Sequence, residues 1–176
     1  MDARLHCLQG KAELVTGLLP LLQTFYAEKL AMLLRHQVAA RLVRQYDVNN
    51  TYQYIINRED VQLSWVAKAI EELGGTLATE TEPARTAAGN AAAAAPHIID
   101  EDGRAAQAFV DRWRPRVEAL ANARHRNMLR VILGEALEQK RFFEQARAGR
   151  TDLLGRRAVE IVGPSHGEVL PTRWIE

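Results

Sequence analysis

Apolar residues recur at helical spacing over four stretches of this chain. Across residues 5–46 the main stripe is Leu21, Phe25, Glu28, Met32, Arg35, Ala39, Leu42 and Tyr46, the i, i+3/i+4 recurrence of a long amphipathic helix. Pro20 reads as a break in it or as a first-turn residue. Asp47-Val48-Asn49-Asn50 predicts a short turn, with Asn50 or Thr51 capping the next helix. So short a connection makes the first two helices antiparallel neighbours. The second stripe runs Ile55, Glu59, Gln62, Val66, Ala69/Ile70 and Leu73, and Gly74-Gly75 suits a left-handed C-terminal cap. Residues 76–99 lack a sustained apolar stripe and read as a long crossover, although the five alanines before Pro96 suit a helical turn. A third helix, capped by Asp100 or Asp102, carries Ala106, Val110, Trp113, Val117 and Leu120, with Pro115 as a kink or restart. After a turn at Ala121-Asn122, a fourth helix covers 123–148 and ends at Gly149.

This pattern predicts an all-α fold. Residues 1–149 form a four-helix bundle of two antiparallel pairs joined by one long connection, and an up-down-up-down order stays open. Residues 150–176 form an irregular tail, in which Trp174 and Ile175 are expected to dock on the bundle or on a neighbouring subunit. A length of 176 residues suits one domain with a real core, and 47% hydrophobic with 26% charged residues is ordinary for a soluble globular chain. The net charge of +1 removes any bulk electrostatic case for nucleic acid. A single cysteine, Cys7, excludes an intramolecular disulfide and suits a reducing compartment. No stretch approaches the ~20 apolar residues that span a bilayer, so the expected location is the cytoplasm.

Candidate chemistry lies where polar residues break the stripes. Glu59 and Gln62 are three residues apart on one face of the second helix, and Glu28 and Arg35 interrupt the first helix two turns apart. On the fourth helix one phase is Leu129, Ile132, Ala136, Gln139, Phe143 and Ala146; a second, Met128, Ile132, Glu135, Gln139 and Phe142, turns Glu135 inward instead. The third stripe contains no acid, with Gln107 and Asp111 just beside it. A buried carboxylate is costly unless a metal, a cation or a shared proton balances it.

The run Arg58-Glu59-Asp60-Val61-Gln62, followed by Ala69-Ile70-Glu71-Glu72-Leu73-Gly74-Gly75, resembles the ferritin-like superfamily in its rubrerythrin-like and bacterioferritin-like branches. Members place Glu-x-x-His at that distance before an Ile-x-x-Leu-Gly ending, and build a dinuclear iron or manganese site from such motifs plus single glutamates. Glu59 falls on the Glu position and Gln62 on the His position, while Glu28 falls where the first-helix Glu is expected. The second motif aligns with Ala136 on its Glu and Gln139 on its His. Both imidazoles and one carboxylate are therefore replaced, and a neutral amide is a poor ligand for ferrous iron.

The resemblance and the replacements together imply a ferritin-like bundle without a functional di-iron centre, serving a structural, interaction or ligand-binding role. The expected interior is a network in which Arg35 neutralises Glu28 and Glu59 while Gln62 and Gln139 donate hydrogen bonds. The alternative is an iron- or manganese-dependent oxidase or oxygen-handling protein with ligands Glu28, Glu59, Glu135 and Glu138. A third reading places a small molecule inside the bundle. His36 and His125 lie about a quarter-turn off the stripes and read as surface or boundary residues, while His6, His97 and His166 have no ligand-spaced partner. Arg112, Arg114, Arg116, Arg124, Arg126 and Arg130 read as a solvated helix face with partners such as Glu118. Tyr52, Tyr54 and Trp65 read as core or dimer residues, and the expected assembly is a homodimer.

Overall fold

The computed structural model describes residues 3–77 and 91–154, with side chains placed over 17–77 and 95–154. Those residues form four helices, α1 (Ala3–Leu42), α2 (Tyr46–Glu72), α3 (Ala91–Glu118) and α4 (Ala123–Arg147), and no strand occurs among them. Trp174, Ile175 and His166 lie outside the described residues, as do the side chains of His6 and Cys7.

Several boundaries differ from the sequence reading. Pro20 lies inside α1 and does not end it; its missing N–H removes one helical hydrogen bond from forty residues of helix. α2 begins at Tyr46 rather than near Asn50, behind a cap residue, Gln45, that makes no side-chain cap bond. Asn49 is therefore helical. Its Nδ2 donates to the carbonyl of Val43 at 3.0 Å and to that of Ala40, two acceptors freed at the end of α1. α3 starts at Ala91, inside the stretch assigned to the crossover, and continues through Pro96. Alanine has the highest helix propensity, so the run 91–95 needs no apolar stripe to become helical. Asp102 then lies well within α3 instead of capping it.

α1 also stops at Leu42, short of the expected Tyr46, whereas the C-terminal end of α2 and both ends of α4 follow the sequence. α2 closes on Gly74, whose φ of +74° is left-handed. Gly74 N–H donates to Glu71 and Gly75 N–H to Ile70, the paired bonds of a Schellman ending. A Cβ on Gly75 would collide with Leu19 and Ile70, so this residue also lets α1 approach. α4 starts at the side chain of Asn122, which accepts from His125 N–H at 3.1 Å, and ends at Gly149 with a φ of +80°.

α1 packs on α2 and on α3, and α4 packs on α3 and on α2. Phe25 meets Trp113 while Arg35 meets Asp102, so α1 and α3 are antiparallel. Tyr54 meets Phe142 while Glu72 meets Arg124, so α2 and α4 are antiparallel. Because α1 is also antiparallel to α2 across the short 43–45 link, α2 and α3 run the same way.

The core divides into two apolar clusters. One holds Leu22, Phe25, Val66, Ile70, Trp113, Leu129 and Ile132; the other holds Ala39, Val43, Tyr52, Ile55, Ile99 and Phe143. On every helix the passage from one cluster to the other crosses a buried polar residue: His36 on α1, with Lys29 two turns before it, Glu59 and Gln62 on α2, Asp102 on α3, Gln139 on α4. A polar layer thus crosses the middle of the bundle.

Candidate functional site

Glu59 is the centre of that layer. It is fully buried, and each carboxylate oxygen has its own partner. Lys29 Nζ donates to Oε1 at 2.6 Å, and His36 Nδ1 lies 2.8 Å from Oε2. Burial pushes the Glu59 carboxyl up, but His36 and Lys29 outweigh it and hold the group at about 2. The carboxylate is therefore ionised at neutral pH, and Nδ1 of His36 carries the hydrogen of that bond. The Lys29 ammonium, itself fully buried, also lies 5.8 Å from the centre of the Phe109 ring. The His36 ring packs against both Tyr52 and Phe143, which also touch each other, and these contacts fix its orientation toward Glu59.

A second polar unit adjoins it through Tyr52. The phenol donates to buried Asp102 at 2.7 Å, and Asp102 lies 3.5 Å from the half-exposed Arg35 guanidinium. Asp102 is an interior acid of α3, a helix whose apolar stripe shows none. Gln62 and Gln139, both buried, have no hydrogen-bond partner for either amide atom among the described residues. The same holds for both ring nitrogens of His125, whose imidazole burial pushes down from its usual value, with Arg124 adding to the effect.

The expected network is therefore only partly assembled. Glu59, Gln62 and Gln139 are interior, but Glu28 and Arg35 are not its cations and anions. Glu28 is half-exposed, accepting from Trp113 Nε1 at 2.8 Å with Arg112 at 3.5 Å. Arg35 belongs to Asp102. The physical reason is the rotation of α1: its buried line is Leu22, Phe25, Lys29, Met32, His36, Ala39 and Val43. That line and the expected one share Phe25, Met32 and Ala39, so the two differ by a small turn of the helix. Lys29 and His36 take the inward places assigned to Glu28 and Arg35, and His36 and His125 are interior rather than boundary residues.

On α4 the first phase holds. Ala136 and Gln139 are buried, and Glu135 is turned toward α2, where Arg58 Nε donates to it at 3.0 Å and Nη2 to its other oxygen. Glu138 is exposed and paired with Arg141. The ligand set Glu28, Glu59, Glu135 and Glu138 is thus dispersed: Glu28 on the α3 side, Glu59 in the centre, and Glu135 and Glu138 along the α2/α4 groove. No group of three His, Cys, Asp or Glu placed to hold a metal ion occurs among the described residues. Both oxygens of Glu59 are already engaged, so these side chains do not fit a dinuclear site as they stand.

Elsewhere the arginine-rich surface is internally bonded in part. Arg130 pairs with Glu118 and Arg124 with Glu72, while Arg116 stacks on Trp113. No described helix is long and apolar enough to cross a membrane. On α1, Lys29 and His36 are the site residues that the sequence reading missed. Their signal was present as a second stripe one residue out of phase with the first. Comparison of this chain with protein-family models, with curated proteins and with solved structures finds no match.

Proposed function

We propose that this protein is a ferritin-like four-helix bundle in which the Lys29–Glu59–His36 centre stands in place of a di-metal site, and that it serves a structural or interaction role rather than catalysing metal-dependent oxidation. Two features support the ferritin-like assignment. α2 and α3 run in the same direction, which a bundle with one long crossover requires, and the polar layer crosses all four helices at mid-height. The observation that carries the functional reading is the fully buried Lys29 ammonium 2.6 Å from Glu59. A fixed positive charge on that carboxylate supplies the balance a divalent cation would otherwise provide, and it repels one that approaches.

Elemental analysis of the protein purified after growth in iron- and manganese-supplemented medium tests this. The expected metal content is far below one ion per chain. Near-stoichiometric iron or manganese that disappears in a Glu59→Ala variant would overturn the reading in favour of an altered carboxylate oxidase.

A further inference from the structure

Gln139 has a second setting besides the polar layer. It is buried, and neither atom of its amide has a partner among the described residues. It also lines the groove between α2 and α4, an open space of about 270 Å³. These two helices pack less extensively than any other neighbouring pair, which leaves room for the groove. Tyr54 and Phe142 meet edge-on at one end of it, and Arg58 bonds Glu135 across it. On α4, position 139 falls between those two contacts, with Ile55 of α2 also in the lining. An unmet amide therefore adjoins a space bounded by an aromatic pair and an aliphatic side chain.

We propose that this groove binds a small, neutral, planar molecule through a carboxamide or lactam edge, held by the side-chain amide of Gln139. An ion finds no complement there. Arg58 is bonded to Glu135 and Glu138 to Arg141, so a charged ligand would lose its hydration without return. A wholly apolar molecule fills the space but leaves the amide unmet, a defect of ~1–3 kcal/mol. A ligand with an N–H beside a C=O removes that defect. The Gln139 carbonyl accepts from the N–H while its NH₂ donates to the ligand oxygen, closing a ring of two hydrogen bonds. The unliganded protein already bears the cost of burying this amide, so both bonds count toward affinity. The volume lies just under the ~300–1,000 Å³ of typical small-molecule sites, which suits a single ring against Tyr54 and Phe142. The amide atoms are shut off from solvent, so the ligand reaches them by parting the Arg58–Glu135 pair. That pair is partly exposed, and separating it costs ~1 kcal/mol or less. The proposal goes beyond the metal-free reading and fails separately from it, since metal content decides one and ligand binding the other.

Titration of the full chain with benzamide, followed by NMR of the glutamine side-chain amides, is the test. Benzoate and toluene serve as the anionic and apolar molecules of nearly the same shape. Benzamide is expected to bind with a Kd of ~1 mM or tighter and to shift the Gln139 Nε2 resonance, the other two binding at least ~10-fold more weakly. Gln139→Leu should weaken benzamide by at least ~10-fold and bring toluene level with it or ahead of it. Gln62→Leu removes an equally unpartnered amide outside the groove lining and should leave the benzamide affinity within ~3-fold. Benzamide that fails to bind up to ~10 mM, that binds no better than toluene or benzoate, or that keeps its affinity in Gln139→Leu overturns the proposal. Equal loss in both glutamine variants overturns it as well.

Discussion

On one side of the mid-bundle layer, Glu59 has an ammonium on one oxygen and an imidazole on the other. One turn further along α2, Gln62 is buried to the same degree and has no partner among the described residues, as is true of Gln139 on α4. The difference follows from the cost of each error. An uncompensated buried carboxylate costs several kcal/mol, whereas an unpaired amide costs ~1–3. A bundle can keep the second kind of defect and still fold; the first kind must be repaired by a partner, and α1 supplies two.

The largest expected effect comes from breaking the paired side. Glu59→Ala leaves Lys29 as an unpaired interior cation and should cost ~3–5 kcal/mol in denaturant unfolding. Lys29→Met combined with Glu59→Leu removes both charges and should recover most of that loss. If the double variant were as unstable as the single one, packing rather than charge would explain the site.

Acid should reveal the same pair. Its partners hold the Glu59 carboxyl at about 2 in the folded protein, against 4.5 for an unperturbed glutamate. A depressed pKa contributes stability that is complete above the unfolded value and is lost as pH falls from about 4.5 toward 2, on the order of 3 kcal/mol in all. Thermal unfolding across that window should show the loss in the wild type and a much flatter profile in the Lys29→Met/Glu59→Leu background.

The unpaired side predicts the opposite sign. Gln62→Leu should be neutral or stabilising by up to ~1–2 kcal/mol, because it replaces an unsatisfied amide with an apolar group of similar size. A loss of more than ~1 kcal/mol would mean that the Gln62 amide has a bonding partner after all. The smallest effect belongs to Arg35→Ala. Its guanidinium is half-exposed at 3.5 Å from buried Asp102, which keeps the Tyr52 hydroxyl at 2.7 Å, so the cost should stay within ~1 kcal/mol, well below that of Lys29→Ala at the same pH.

The sequence made the helix count, the Gly74-Gly75 and Gly149 endings and the span of α4 legible, because each rests on local pattern and local capping, while it left Ala136 and Glu135 as alternatives on α4. Glu59 was also legible, as a charge inside an apolar stripe. What failed was the rotation of α1. Two stripes sharing Phe25, Met32 and Ala39 are each broken by a polar pair two turns apart, and no local rule separates Glu28/Arg35 from Lys29/His36. Composition rules point the wrong way, since lysine is almost never fully buried unless paired, and its partner lies thirty residues away on α2. The early start of α3 was missed for a different reason. Alanine makes helix without marking which face is buried.

Lys29 has one more consequence, for how the bundle opens. Its amine is shut off from solvent, whereas Lys68 on the outer face of α2 is exposed. A water-borne acylating reagent reaches Lys68 directly but meets Lys29 only when α1 and α2 separate. The ratio of the two labelling rates would therefore report the free energy of that local opening.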